Sequence, residues 1–286
     1  MLERAKSLIN DALSLGCIAA LQKHDHNVKC LTDPIREKYI DLIDLQPSDD
    51  VLEIGSSMGQ HTRRIAAKCR SVNALEVIKF QAEFSKIWCG QEGLQNVHFT
   101  AGGASGHLPY ENSSFDVVIS NYVLEWCAGR AAGDPNEFHK EVLSEIWRVL
   151  KPGGRLFLST KNRFAFKYLT GVEDEHLGIR FGSALPRWIQ KRAAATARLG
   201  HPTGYLHSWA GLRADLIAAG FKNLVPLFAF PDARWPVFLG RAQDFSRSNI
   251  TSPEGINFGK RDRALAVLPS QTRLALSNSI IYLADR

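Results

Sequence analysis

The segment Val51 to Gly59, VLEIGSSMG, limits what this chain can fold into more than any other. It is an apolar run with an acidic residue near its end, followed by a turn of small residues. The run reads as a buried strand. A turn of this kind lets a ligand come close to the backbone at the strand's carboxyl end. The residues after it, Thr62 to Cys69, suit a helix whose first N–H groups have no partner inside the helix. Ser57 stands where a third glycine is expected.

The rest of the first half repeats the same alternation. Pro34 to Leu45 reads as a helix opening on proline, with Ile35, Tyr39, Leu42 and Ile43 at helical spacing. A second strand, Ser71 to Leu75, ends at Glu76 and is followed by a helix from Phe80 to Cys89. Val97–Phe99 and Phe115–Ser120 are further strands. The apolar stripe Phe138, Val142, Ile146, Val149 and Leu150 marks a helix stopping at Lys151-Pro152-Gly153-Gly154, and Arg155 to Ser159 is a fifth strand. This rhythm predicts an α/β fold, a Rossmann-like doubly wound parallel sheet with helices on both faces.

Four regions follow from the pattern. Residues 1–34 read as an N-terminal helical segment, with Leu8, Ala12, Leu15 and Ala19 on one face, and 35–160 as the ligand-binding core. Residues 161–205, basic and aromatic, lack the alternation and are expected to form a lid. Residues 206–286 return to the core through a helix at Leu212–Gly220 and strands at Leu224–Phe230 and Ser279–Leu283. An insertion at 231–276 is a candidate substrate wall.

Composition narrows the class. With 286 residues, 45% of them hydrophobic and 22% charged, the chain can bury a sizeable core, and no segment reaches the roughly 18 to 20 apolar residues of a membrane span. Acidic Glu3 and Asp11 do not suit a secretory leader. The five cysteines are scattered without C-x-x-C spacing, which disfavours disulfides and structural zinc and suits a cytoplasmic location. His24-Asp25-His26 has no partner cluster, so no metal site is expected. The net charge of +6 suits an anionic partner.

Gly55, Gly59 and a carboxylate at the next strand tip, Glu76, fit a ribose-bearing ligand. On those residues alone a nicotinamide oxidoreductase is equally possible. The ordered set VLEIGSSMGQHT, ALEV, HLPYENSSFDVVISNYVLEW and EIWRVLKPGGRLFLST resembles the class I S-adenosylmethionine-dependent methyltransferases, in particular the group acting on small molecules and sugars. The resemblance covers about residues 35–160, with a weaker echo in LRADLIAAGF and the last strand. It implies a seven-stranded sheet with the last strand antiparallel, and S-adenosylmethionine as cofactor.

The resemblance also implies roles. Glu53, Gly55 and Gly59, with Ser57 between the glycines, match the motif whose backbone passes the methionine part of the cofactor. Glu76 matches the ribose acid and Val77 the apolar residue beside the adenine. Gly102-Gly103-Ala104 falls where the family usually has Gly-Asp-Ala, so Gly103 replaces an aspartate and Ala104 is retained. Asn121 follows the fourth strand, beside the sulfonium end. The Asn/Asp-Pro-Pro-aromatic signature of base methylation is absent after that strand, and no nucleic-acid partner is expected.

Methyl transfer from a sulfonium requires alignment and exclusion of water more than side-chain chemistry, though an oxygen acceptor benefits from a base. His176 and His207 are the candidate bases, against an ordinary packing or surface role. His61 is expected to cap or line the cofactor site and His139 to be solvated on its helix. Lys161, Arg163, Lys167, Arg180, Arg187, Lys191, Arg192 and Arg198 offer either a solvated face or a wall for an anionic group. The expected activity is O-methylation of a small molecule such as a sugar, glycoconjugate or natural product. The alternative is a non-catalytic binding protein of the same fold, with Ser57 and Gly103 as signs of an eroded site. Nothing in the sequence points to an oligomeric state.

Overall fold

The computed structural model describes residues 2–127, 134–175, 178–196, 204–246 and 258–286, except the side chains of 191 and 193–196. Its centre is one sheet built from β1 (Asp50–Ile54), β2 (Ser71–Glu76), β3 (Val97–Ala101), β4 (Phe115–Asn121), β5 (Leu150–Lys161), β6 (Lys222–Phe230), β7 (Phe238–Gly240) and β8 (Ser279–Asp285). The spatial order is β3-β2-β1-β4-β5-β8-β6-β7. The first five strands are parallel, β8 runs antiparallel between β5 and β6, and β7 runs antiparallel to β6. The sheet therefore has eight strands where seven are expected, because the chain folds back after Phe230 and adds β7 at the edge.

Side-chain alternation along the strands splits the core into two layers. Leu52, Ile54, Val118, Leu156 and Leu158 face the helices Pro135–Val149 and Trp209–Ala218, through Val142, Leu143, Ile146, Leu212 and Leu216. Val51, Val117, Ile119 and Phe157 face the other way, onto Tyr39, Ile40, Ile43 and Ile65. Covered on both faces, β1 and β4 read as near-continuous apolar runs.

Several local expectations shift. Pro34–Leu42 is a 3-10 helix, opened by the Asp33 side chain accepting the Ile35 N–H at 3.0 Å. The N-terminal helix stops at Leu15 because Gly16 turns left-handed at φ 89°, and a second helix, Cys17–Lys23, starts on a new face. Leu15 and Ala19 are consequently exposed, while Leu8, Ala12, Cys17, Ala20 and Leu21 are buried against Phe84 and Trp88 of the helix Lys79–Gln91. β5 begins at Leu150, within the expected helix stop, because Phe115 pairs with Leu150 before a register shift.

His139 is fully buried rather than solvated. Tyr205 and His207 cover that side of its helix, with ring centroids 5.3 and 5.0 Å away. His24 bonds Asp11 at 2.7 Å, and among the described residues no group of three or more His, Cys, Asp or Glu could hold a metal ion. None of the five cysteines forms a disulfide. Among the described residues no helix is long and apolar enough to cross a membrane.

Candidate active site

The parallel strands deliver their carboxyl ends to one cleft of about 660 Å³. β1 ends at Ile54, and the chain leaves it through Gly55 at φ 75°, Ser57 at φ 49° and Gly59 at φ 87°. The N–H groups of Gly55 and Ser56 both donate to the Leu75 carbonyl, at 2.8 and 3.2 Å, which ties the turn to β2. A Cβ on Gly55 would stand 2.3 Å from Val123 Cγ2, and one on Gly59 2.4 Å from Ser85 Oγ. Only glycine meets both the left-handed backbone and the close approach.

Ser57 takes the left-handed conformation without being glycine, at a cost of roughly 1 kcal/mol. Its N–H donates to Glu76 Oε2 at 2.8 Å, and the Ile78 N–H donates to Glu76 Oε1 at 2.9 Å. Glu76 is thus a buried carboxylate fixed at the tip of β2 by two backbone donors, with acceptor capacity left over. Gly103 has an equally local cause. At φ 85° any added Cβ would lie 3.1 Å from Leu75 Cδ2, so an aspartate there is both strained and crowded. Both departures from the expected motif are therefore conformational features of their loops.

Glu53 is buried beneath this turn and accepts the Thr62 hydroxyl at 2.5 Å. Burial is the main cause that pushes its carboxyl up to about 7, opposed by the Thr62 hydrogen bond and reinforced by Glu76. Asn121 ends β4 and accepts the Ser159 hydroxyl at 2.5 Å through Oδ1. Glu53, Gly55, Ser57, Glu76, Val77, Gly103, Ala104 and Asn121 all line the cleft. Gly59 does not; it packs behind the turn against Ser85.

The candidate bases fare differently. His176 lies outside the described residues. His207 is buried away from the cleft, its Nε2 2.8 Å from His139 Nδ1 and its Nδ1 3.6 Å from Asp215 Oδ2. Burial, His139 and Arg187 hold its pKa well below the ordinary histidine value, and it does not line the cleft. His61 does line the cleft. Burial, Arg36 and Arg63 lower its pKa to about 3, and its Nε2 is buried without a partner, as is Gln60 Oε1 beside it.

Of the basic run, offered as a solvated face or an anion-binding wall, Lys161, Arg163, Lys167 and Arg187 are engaged within the chain, while Arg180 is exposed. Lys161 and Lys167 pair with Glu175 at 2.5 and 3.4 Å, and Arg180 with Glu173 at 3.6 Å. Arg163 and Arg187 donate to backbone carbonyls of Ser183, Leu185 and Leu206. Arg192 is exposed, while the Lys191 side chain and Arg198 lie outside the described residues. No described residue of 161–205 lines the cleft, so the expected lid does not form its wall among the described residues. The wall comes from Arg36, Tyr122, Trp126 and Cys127, and from Ala233 and Arg234 in the 231–276 insertion. Sequence reasoning missed these residues except for the insertion itself, because they converge from a 3-10 helix, the segment after β4 and the turn after β6. The FPDARWP stretch around Arg234 was the one visible signal.

The cleft suits a polar ligand spanning several strand ends. It offers glycine turns that admit no Cβ, a fixed carboxylate, and two orphaned buried polar atoms. Comparison with known proteins agrees. A family model described as a methyltransferase domain matches residues 52–158. Demethylmenaquinone methyltransferase of Lactococcus lactis subsp. lactis is 30% identical over 208 residues, covering 67% of this chain and 75% of that protein. The bifunctional biotin biosynthesis protein of Cellvibrio japonicus is 33% identical over 110 residues, 38% of this chain and 19% of that protein. The chain spans between 19 and 54% of the length of the first curated relatives it matches. An S-adenosylmethionine-dependent methyltransferase structure from Mesorhizobium loti shares the fold, with a TM-score of 0.54 at 13% identity, covering 90% of this chain and all of that one.

Proposed function

Because the chain belongs to the class I S-adenosylmethionine-dependent methyltransferases, we propose that it moves the methyl group of S-adenosylmethionine to an oxygen of a small polar acceptor. The observation that carries this reading is Glu76, a buried carboxylate held by two backbone N–H groups at the rim of the glycine turn. When bound, S-adenosylmethionine supplies a methyl on a positively charged sulfur that needs no further activation.

The chain's own residues bind, orient and keep out water. Glu76 has lone pairs left to accept ribose hydroxyls. Val77, Gly103 and Ala104 offer a surface without bulky side chains for the adenine. Asn121 and Tyr122, at the centre of the sheet edge, separate that half from the half reaching Arg234. We assign the acceptor to the second half. There His61, uncharged at neutral pH, is placed to hydrogen-bond an acceptor hydroxyl; a pKa near 3 makes it a positioning group rather than a strong base.

A sugar, glycoconjugate or natural product fits a cleft of this size and mixed polarity. Two points favour an enzyme over an eroded binding protein. Ser57 still delivers its N–H to Glu76, and Gly103 obeys the backbone it occupies. The test is incubation with methyl-labelled S-adenosylmethionine and fractionated small-molecule extracts, read by mass spectrometry. Label in an oxygen-bound methyl of one fraction is the expected result. Label on nitrogen or carbon would replace the oxygen assignment, and no transfer to any fraction would overturn catalysis.

A further inference from the structure

Two arginines reach the cleft from neighbouring segments, and one of them, Arg36, has no ion-pair partner among the described residues. Arg36 comes from the 3-10 helix Pro34–Leu42 and Arg234 from the turn after β6. The two segments are joined by Lys38 Nζ donating to the Pro236 carbonyl at 3.3 Å, and the Arg36 guanidinium lies 5.3 Å from the Trp235 ring. Arg36 donates to the Cys30 carbonyl, but its Nε is buried without a partner. Among the described residues no carboxylate lies within ion-pair distance of it; burial and Arg234 disfavour its charge, and the more distant Asp232 only partly opposes them. A guanidinium drawn into a cleft in this way has lost hydration that one carbonyl and an aromatic face replace only in part.

Arg234 has carboxylate neighbours, but they are distant and shared. Asp232 lies at 3.4 Å and Glu175 at 3.5 Å, both longer than a close charge-assisted contact of about 2.7 to 2.9 Å. Glu175 also serves Lys161 and Lys167. Glu125, nearby and fully buried, accepts the Thr160 hydroxyl at 2.7 Å, and burial raises its pKa. Glu175 is thus shared among three cations, Lys161, Lys167 and Arg234.

We propose that Arg36 and Arg234 form a clamp for an oxyanion carried by the acceptor, a carboxylate or a phosphate. The proposal rests on the methyltransferase reading, since it names the chemistry of that same acceptor. The planar guanidiniums provide forked donors suited to both groups. Recognition of the acceptor thereby moves from the 161–198 basic run, none of whose described residues lines the cleft, to two residues far apart in sequence.

Thermal unfolding of the full chain saturated with S-adenosylhomocysteine tests this. Inorganic phosphate and acetate are titrated separately, against chloride at equal ionic strength. One of the two should raise the unfolding temperature saturably above the chloride control; preference for phosphate or acetate identifies the group. Arg36→Gln and Arg234→Gln should each weaken that anion at least tenfold, and Arg36→Lys should restore part of the loss. Affinity for S-adenosylhomocysteine, measured on the same variants, should change little, which also shows that they fold. Equal effects of phosphate, acetate and chloride, or anion binding unchanged in both glutamine variants, would overturn the clamp. Loss of S-adenosylhomocysteine binding by the unmodified chain would instead overturn the methyltransferase reading beneath it.

Discussion

Glu53 makes the most specific residue-scale prediction. It ionises at the ordinary 4.5 when unfolded and at about 7 in the native cleft. The native state therefore holds the extra proton between those values. The stabilisation this group contributes is complete below pH 4.5 and is lost as pH rises through about 7, on the order of 3 kcal/mol in all. Glu53→Gln keeps an oxygen to accept from Thr62 and should flatten the stability profile between pH 4.5 and 7; parallel profiles for the two proteins would contradict the assignment. Gly55→Ala should destabilise by about 1 to 3 kcal/mol in urea unfolding, since it adds both left-handed strain and a 2.3 Å approach to Val123. Stability equal to the parent's would mean that the turn can relax. At this scale the sequence was legible where spacing is short: Gly55, Glu76 and Asn121 each follow directly from a strand end. The His139–His207 pair was not, because its partners lie 68 residues apart and are joined only by the packing of the bridge at His207 against the helix Pro135–Val149.

Among elements, the two N-terminal helices support the glycine turn from behind. Leu8, Ile9 and Ala12 of the first and Ala20 and Leu21 of the second share a buried cluster with Phe84, Trp88 and Met58, and Met58 belongs to the turn itself. Leu8→Ala should cost about 2 to 4 kcal/mol of stability, as core truncations do. It should also weaken S-adenosylhomocysteine by loosening the turn. Full destabilisation with unchanged affinity would show that the helices are only a cover. The strands and long helices could be read from the sequence because their apolar periods are unmistakable. The break at Gly16 could not, since a single left-handed glycine redirects a helix without disturbing the period on either side.

For the whole molecule, strand order decides function. Placing β1 between β2 and β4 brings the glycine turn, Glu76 and Asn121 together, and running β6 parallel to β5 beyond β8 sends Arg234 to the same edge. The motif half of the cleft was therefore legible in sequence, while the acceptor half, built from segments distant along the chain, was not. A ligand that binds the native state alone should stabilise it by about 2.7 kcal/mol at a hundredfold excess over its dissociation constant. S-adenosylhomocysteine should raise the unfolding temperature accordingly, and a nicotinamide dinucleotide should not; the reverse order would reassign the turn. The most direct measurement is calorimetric titration of S-adenosylmethionine into the unmodified chain and into Glu76→Ala. Saturable one-to-one binding, weakened tenfold or more by the substitution, is the predicted result. Absence of binding at millimolar ligand, or an affinity indifferent to Glu76, would contradict the account.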